Sequence, residues 1–195
     1  MGGIIAWEMT RQMAWKSETI GVLALFDAYP PVQGMQTPAR TDDVGMLFRF
    51  AADLHRATGK DFNEFSERYA QLDAQGKWTL VLEMMKRDGL LTQNNAEEAL
   101  AQMVNIFTRN SLAMESYIMQ KSAQDILLFR AAETVDREQD QGGWTQWTSG
   151  KIKLHVISGD HYSILRQPAV SKIAEILNSQ LQNARENTRL AASVD

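Results

Sequence analysis

The sequence predicts an α/β fold: a parallel sheet of about three strands flanked by helices, with a large helical block inserted after the first strand. Three observations carry this. The runs IGVLALF (20–26) and DILLFRA (125–131) are short, apolar and without alternation, the pattern of strands buried on both faces of a parallel sheet. From about 44 to 122 apolar residues recur three and four apart, which is helical spacing. A third strand-like segment, KIKLHVI (151–157), is followed by a helical pattern, so strands alternate with helices as parallel sheets require.

The elements follow in order. Residues 2–15 read as a helix, with Ile4, Ile5, Trp7, Met9 and Met13 at helical spacing, although no polar N-cap residue stands ahead of the two glycines. After the 20–26 strand, Asp27 is followed by AYPP, where Pro30 and Pro31 forbid regular structure. The helical block divides into about four helices at Gly59, Gly76 and Gly89, and Asn94 and Asn95 are candidate N-caps for the longest of them. Strands at 125–131 and 151–157 are separated by polar, glycine-bearing segments. Pro168 suits the first turn of a last helix over about 168–184, and residues 185–195 read as a polar tail that frays. Residues 1–184 thus form one domain carrying the helical insertion.

Composition narrows the function. The 195 residues are 44% hydrophobic and 23% charged, an ordinary globular balance, and the net charge of −4 offers nothing to a nucleic acid or an anionic membrane. With no cysteine, disulfides, thiolate metal sites and a cysteine nucleophile are excluded, and a reducing cytoplasm is the expected compartment. Three histidines are too few for a histidine-rich metal site, and no apolar run is long enough for a membrane-spanning helix. Neither metal nor cofactor is expected.

In open α/β sheets, working residues gather beyond the carboxyl ends of the strands. Asp27 ends the first strand, and His161 follows the third after a short Gly-Asp turn. A carboxylate and an imidazole so placed form the Asp–His half of a nucleophilic triad, in which the carboxylate fixes the imidazole tautomer and the imidazole takes a proton from a nucleophile. The plainer readings stand beside it: Asp27 as a turn former or helix cap, His161 as a loop residue. His155, inside a strand pattern, reads as structural. His55, among charged residues of a helix, reads as solvent-facing. Ser17, Ser149 and Ser163 all lack the sharp strand-to-helix turn that exposes an activated serine.

These residues resemble the thioesterase domains that end nonribosomal peptide and polyketide synthetases, which are α/β-hydrolases. The family's nucleophile motif runs Gly-Trp-Ser-X-Gly-Gly into a helix, and MGGIIAWEM continues it from the residue after the serine. LFDAYPP with Asp27, the helical block, DILLFRAAE, GGW at 142–144 and KLHVISGDHYSIL follow in the family's order, from Met1 to about Leu181. The resemblance implies that Asp27 is the triad acid, that His161 is the general base, and that the backbone N–H of Met1 serves the oxyanion hole where Met1 is internal. It places the serine one position ahead of Met1. Serine, nucleophile turn, preceding strands and second oxyanion donor are therefore expected to be missing, as in a truncated gene, a start codon assigned at an internal methionine or an expressed fragment.

The implied reaction is release of an acyl or peptidyl chain from the phosphopantetheine thiol of a carrier protein, by hydrolysis or cyclisation, with the helical block as a lid over the acyl chain. The carrier protein is the expected partner, and the chain by itself is expected to be inactive or nearly so. A general esterase of the same fold and a non-catalytic helical interaction module are the alternatives. An unpaired apolar edge beside IGVLALF is expected to drive self-association.

Overall fold

The computed structural model describes residues 1–31, 43–58, 62–92, 94–134 and 141–192. The chain forms two compact units, one of Met1–Val32 with Ile118–Asp195, the other of Gln33–Tyr117.

The first unit holds the sheet. Its elements are α1 (Gly2–Trp15), β1 (Ala24–Phe26), β2 (Ile126–Ala131), β3 (Ile152–Ile157) and α6 (Ala169–Ala192). The strands lie in the order β1-β2-β3, all parallel, with Phe26 opposite Phe129 and Phe129 opposite His155. Every residue of β2 is buried, as its unbroken apolar run requires of the central strand. Successive side chains point to opposite faces. On one face Leu127, Phe129 and Ala131 pack with Ile157, Ile164 and Ile173, so that α6 covers this side with its Ile173, Ile176 and Leu177 stripe. The other face carries Leu25, Ile126, Leu128 and Arg130, and α1 comes within contact of Leu25 at Gly3. Each large apolar side chain so enclosed contributes on the order of 1.5–3 kcal/mol relative to exposure.

Two tryptophans tie this face together. The indole N–H of Trp7 on α1 donates to the Gln120 carbonyl at 3.0 Å, and that of Trp144, in a 3₁₀ turn at Trp144–Gln146, donates to the Ala28 carbonyl at 2.8 Å. Their rings meet with centroids 5.5 Å apart. A fully buried indole needs such an acceptor, and both find one on irregular backbone that no strand satisfies.

The second unit contains four described helices: α2 (Asp43–Thr58), α3 (Phe62–Ala70), α4 (Ala74–Arg87) and α5 (Ala96–Ser116). Leu47 and Ala51 of α2, Phe65 and Tyr69 of α3, Val81 and Met85 of α4, and Leu100 and Val104 of α5 form its own core. The helical reading of 44–122 therefore holds over α2–α5, while residues 118–122 belong to the first unit. Gly59 lies outside the described residues.

Several expectations are corrected. The regular part of the first strand is three residues long, because only from the Leu23 carbonyl onward does β2 offer partners: Leu127 N–H donates to it at 2.9 Å. Gly76 does not separate two helices but sits in the first turn of α4, its N–H capped by the Asp73 carboxylate at 2.8 Å. Asn95 occupies the N-cap position of α5 in left-handed backbone, φ 61°, and makes no side-chain cap. The last helix runs to Ala192 rather than stopping at 184, since no Gly or Pro interrupts 185–192 and Ala184 still packs near Gly21. His55 is not solvent-facing. It is 5% exposed and packs at a tilt against the Phe65 ring, because it follows Leu47 and Ala51 at four-residue spacing on the inward stripe of α2.

Candidate active site

Asp27 and His161 reach one rim of the sheet by different routes. Asp27 is the residue after β1, and its backbone turns sharply into the left-handed region at φ 42°. Its N–H still donates to the Phe129 carbonyl at 2.6 Å, so the turn begins while the main chain remains bonded to the sheet. An aspartate tolerates this backbone better than most residues, and here the strain turns its carboxyl toward the strand ends.

His161 is set by the Ser-Gly-Asp-His segment after β3. Gly159 has φ 108°, and a Cβ there would lie 2.5 Å from the Ser163 hydroxyl, so any other residue would strain the turn. Asp160 Oδ1 accepts the N–H groups of Tyr162 and Ser163 at 2.9 and 2.8 Å, and the Asp160 N–H donates to Ser163 Oγ at 2.8 Å. This reciprocal cap closes one turn of backbone with His161 on it. The contacts with Ser163 hold the Asp160 carboxyl below its usual range, so the cap stays charged.

The two side chains meet. His161 Nδ1 lies 2.9 Å from Asp27 Oδ2, with Asp27 only 1% exposed and the imidazole 53% exposed. An ionised carboxylate only accepts, so Nδ1 carries the proton, and in the neutral ring Nε2 keeps its lone pair. Among the described residues, Nε2 has no hydrogen-bond partner, and none of the described serines bonds to it.

The other oxygen of Asp27 is fully engaged. Oδ1 accepts from Arg130 Nε at 3.1 Å, from the Ala131 N–H at 3.1 Å and from the Thr134 hydroxyl at 2.8 Å. Burial pushes this carboxyl up, but the Ala131 N–H, His161, Thr134 and Arg130 together outweigh burial and hold it below its usual 3.8. Sequence reading missed Arg130, Thr134 and Tyr29. A signal existed for the first: an arginine inside an otherwise apolar buried strand requires an acid partner close by.

The remaining candidates fall elsewhere. Met1 is the N-cap of α1, its carbonyl accepting from Ile4 and Ile5, and it forms no hydrogen bond with the pair. His155 stacks on Phe129, as a structural residue would, and burial together with Lys153 and Lys172 lowers its pKa. Ser163 serves the Asp160 cap. Among the described residues no group of His, Asp and Glu could hold a metal ion, and no helix is long and apolar enough to cross a membrane.

The parallel sheet thus carries a buried aspartate bonded to an imidazole beyond its strand ends. The chain belongs to the thioesterase domain family, whose model matches residues 1–181. It is 21% identical over 184 residues to the probable non-canonical nonribosomal peptide synthetase CymA of Salinispora arenicola, covering 93% of this chain and 2% of that protein. It is 25% identical over 190 residues to the non-reducing polyketide synthase crz7 of Cladonia metacorallifera, covering 93% of this chain and 9% of that one. Among solved structures, a four-domain nonribosomal peptide synthetase bound to AMP and glycine shares the fold with a TM-score of 0.77 at 22% identity, over 90% of this chain and 13% of that one. The surfactin-cyclising thioesterase domain SrfTE shares it with a TM-score of 0.54 at 16% identity, over 92% of this chain and 64% of that one. The chain spans less than a tenth of the length of these two curated relatives.

Proposed function

We propose that Asp27 and His161 are the acid and general base of a cytoplasmic thioesterase that releases an acyl or peptidyl chain from the phosphopantetheine thioester of a carrier protein. The observation that carries this is the 2.9 Å bond between them, with Nε2 left free to take a proton. The nucleophile this reading needs is a serine at the N-terminal end of α1. The packing of that helix supports the place: a Cβ at Gly3 would lie 2.5 Å from Ala28, the residue next to Asp27, so the first turn of α1 abuts the acid's own loop.

The serine hydroxyl attacks the thioester carbonyl as His161 Nε2 takes its proton. Asp27 stabilises the imidazolium, which then protonates the departing thiol. Water, or a nucleophile within the acyl chain, gives its proton to His161 as it attacks the acyl-serine carbonyl, and the ester breaks with that proton passing to the serine oxygen, releasing the product as acid or macrocycle.

A chimera joining the strands and serine of an intact thioesterase domain to Met1 tests the reading. It should release acyl groups from a loaded carrier protein, and both His161→Ala and Asp27→Asn should lower kcat by roughly 10³–10⁴-fold with little change in KM. A folded chimera without turnover, or one indifferent to loss of His161, would overturn the assignment. Faster cleavage of simple esters than of carrier thioesters would point to a general esterase instead.

A further inference from the structure

We infer that Arg130 is a positioning residue for this site: its buried guanidinium grips one oxygen of Asp27 so that the other can only aim at His161. The inference rests on the thioesterase reading above and deepens it.

An arginine in the middle of an apolar strand is costly, since a desolvated cation needs a carboxylate and further acceptors to be tolerated. Arg130 is 1% exposed, and among the described residues its Nε and Nη2 find acceptors while Nη1 does not. Nε donates to Asp27 Oδ1, and Nη2 donates to the Tyr29 hydroxyl and to the Thr134 carbonyl. The face of the Tyr29 ring lies 4.1 Å from the guanidinium carbon, a cation–π contact. Gly142, with φ 58°, roofs the group: a Cβ there would lie 2.4 Å from Nη1. The segments after β1 and after β2 and the one leading into the Trp144 turn thus converge on one planar cation.

The consequence falls on Asp27. A carboxylate with a single donor rotates about its bond to Cβ and can offer either oxygen. Here Oδ1 is saturated by Arg130, Ala131 and Thr134, and of these only Arg130 brings charge. Oδ2 is therefore the oxygen left for the imidazole, and accepting from Nδ1–H keeps the tautomer that exposes a basic Nε2. Lysine could supply the charge but not an Nε donor to Oδ1 together with an Nη2 held by Tyr29 and Thr134.

The test reads the tautomer itself, on the 195-residue chain, and needs no turnover. With ¹⁵N-labelled imidazoles in alkaline buffer, the nitrogen shifts of His161 report the ratio of Nδ1–H to Nε2–H forms. The native chain should be dominated by Nδ1–H. In Arg130→Met the ratio should fall roughly tenfold, the scale of one charge-assisted hydrogen bond. Arg130→Lys should recover part of it, and Gly142→Ala, which displaces the guanidinium without touching Asp27 or His161, should lower it too. If Arg130→Met fails to fold, the other two variants decide. An unchanged ratio in any folded Arg130→Met protein, or in both of the other variants, would overturn the role of Arg130. A native chain that lacks the Nδ1–H preference would instead overturn the Asp27–His161 pair and the thioesterase reading with it.

Discussion

Asp27 combines three features that would each be unfavourable alone: left-handed backbone, almost complete burial and a charge. Its hydrogen bonds make the combination stable, and its stability should therefore depend on pH. Because the folded carboxyl is held below 3.8, a proton binds the unfolded chain more readily than the folded one. The contribution is complete above the unfolded value and is lost as pH falls through the lower folded value. Asp27→Asn, which leaves Arg130 buried without its counter-charge, should cost about 3–5 kcal/mol near neutral pH. Urea melts of the two proteins should differ by that amount above about pH 5 and converge below the carboxylate range. A difference that stays constant into strong acid would mean that Asp27 carries no charge-dependent stability.

At the scale of elements, the position of α1 depends on a residue without a side chain. Gly3 lets the helix reach the loop that carries Asp27, and the atom a Cβ would strike is the Ala28 Cβ, which has no rotamer to escape by. Gly3→Ala should thus gain helix propensity yet destabilise the fold by about 1–3 kcal/mol, because overpacking at a rigid contact outweighs a gain of at most about 1 kcal/mol. A thermal melt decides the sign, and a stabilised variant would show that α1 can move off without loss. Much at this scale was legible in the sequence. Helix α1 follows from its apolar spacing, the unbroken run of β2 from its central place, and the four helices of the second unit from their stripes. That Asp27 and His161 meet was legible because strand ends in a parallel sheet are where side chains from distant parts of the chain converge. What escaped depends on partners far apart in sequence. Arg130 stands inside a run that reads as apolar, and only the folded chain shows the acid 103 residues earlier that accounts for it. His55 was misjudged because its neighbours Asp53 and Arg56 are exposed while its own position faces inward.

At the scale of the whole molecule, each of the two units has its own hydrophobic cluster, and the sheet of the first is narrow. Among the described residues, β1 pairs with β2 on one side and with no strand on the other. The Asp27 N–H and the Leu23 carbonyl both turn toward β2. By the alternation of a strand's bonding directions, the N–H groups of Ala24 and Phe26 face the outer edge. Such an edge, flanked by apolar residues, is a template for a second chain. The 22.0 kDa chain is therefore expected to self-associate at micromolar concentration, and sedimentation velocity would show a mass that rises with concentration. Ala24→Pro removes one outward donor while leaving the ladder to β2 intact, so it should shift the distribution toward the monomer more than it lowers the melting temperature. A native chain that sediments as a 22.0 kDa species at every concentration would mean that this edge is already protected.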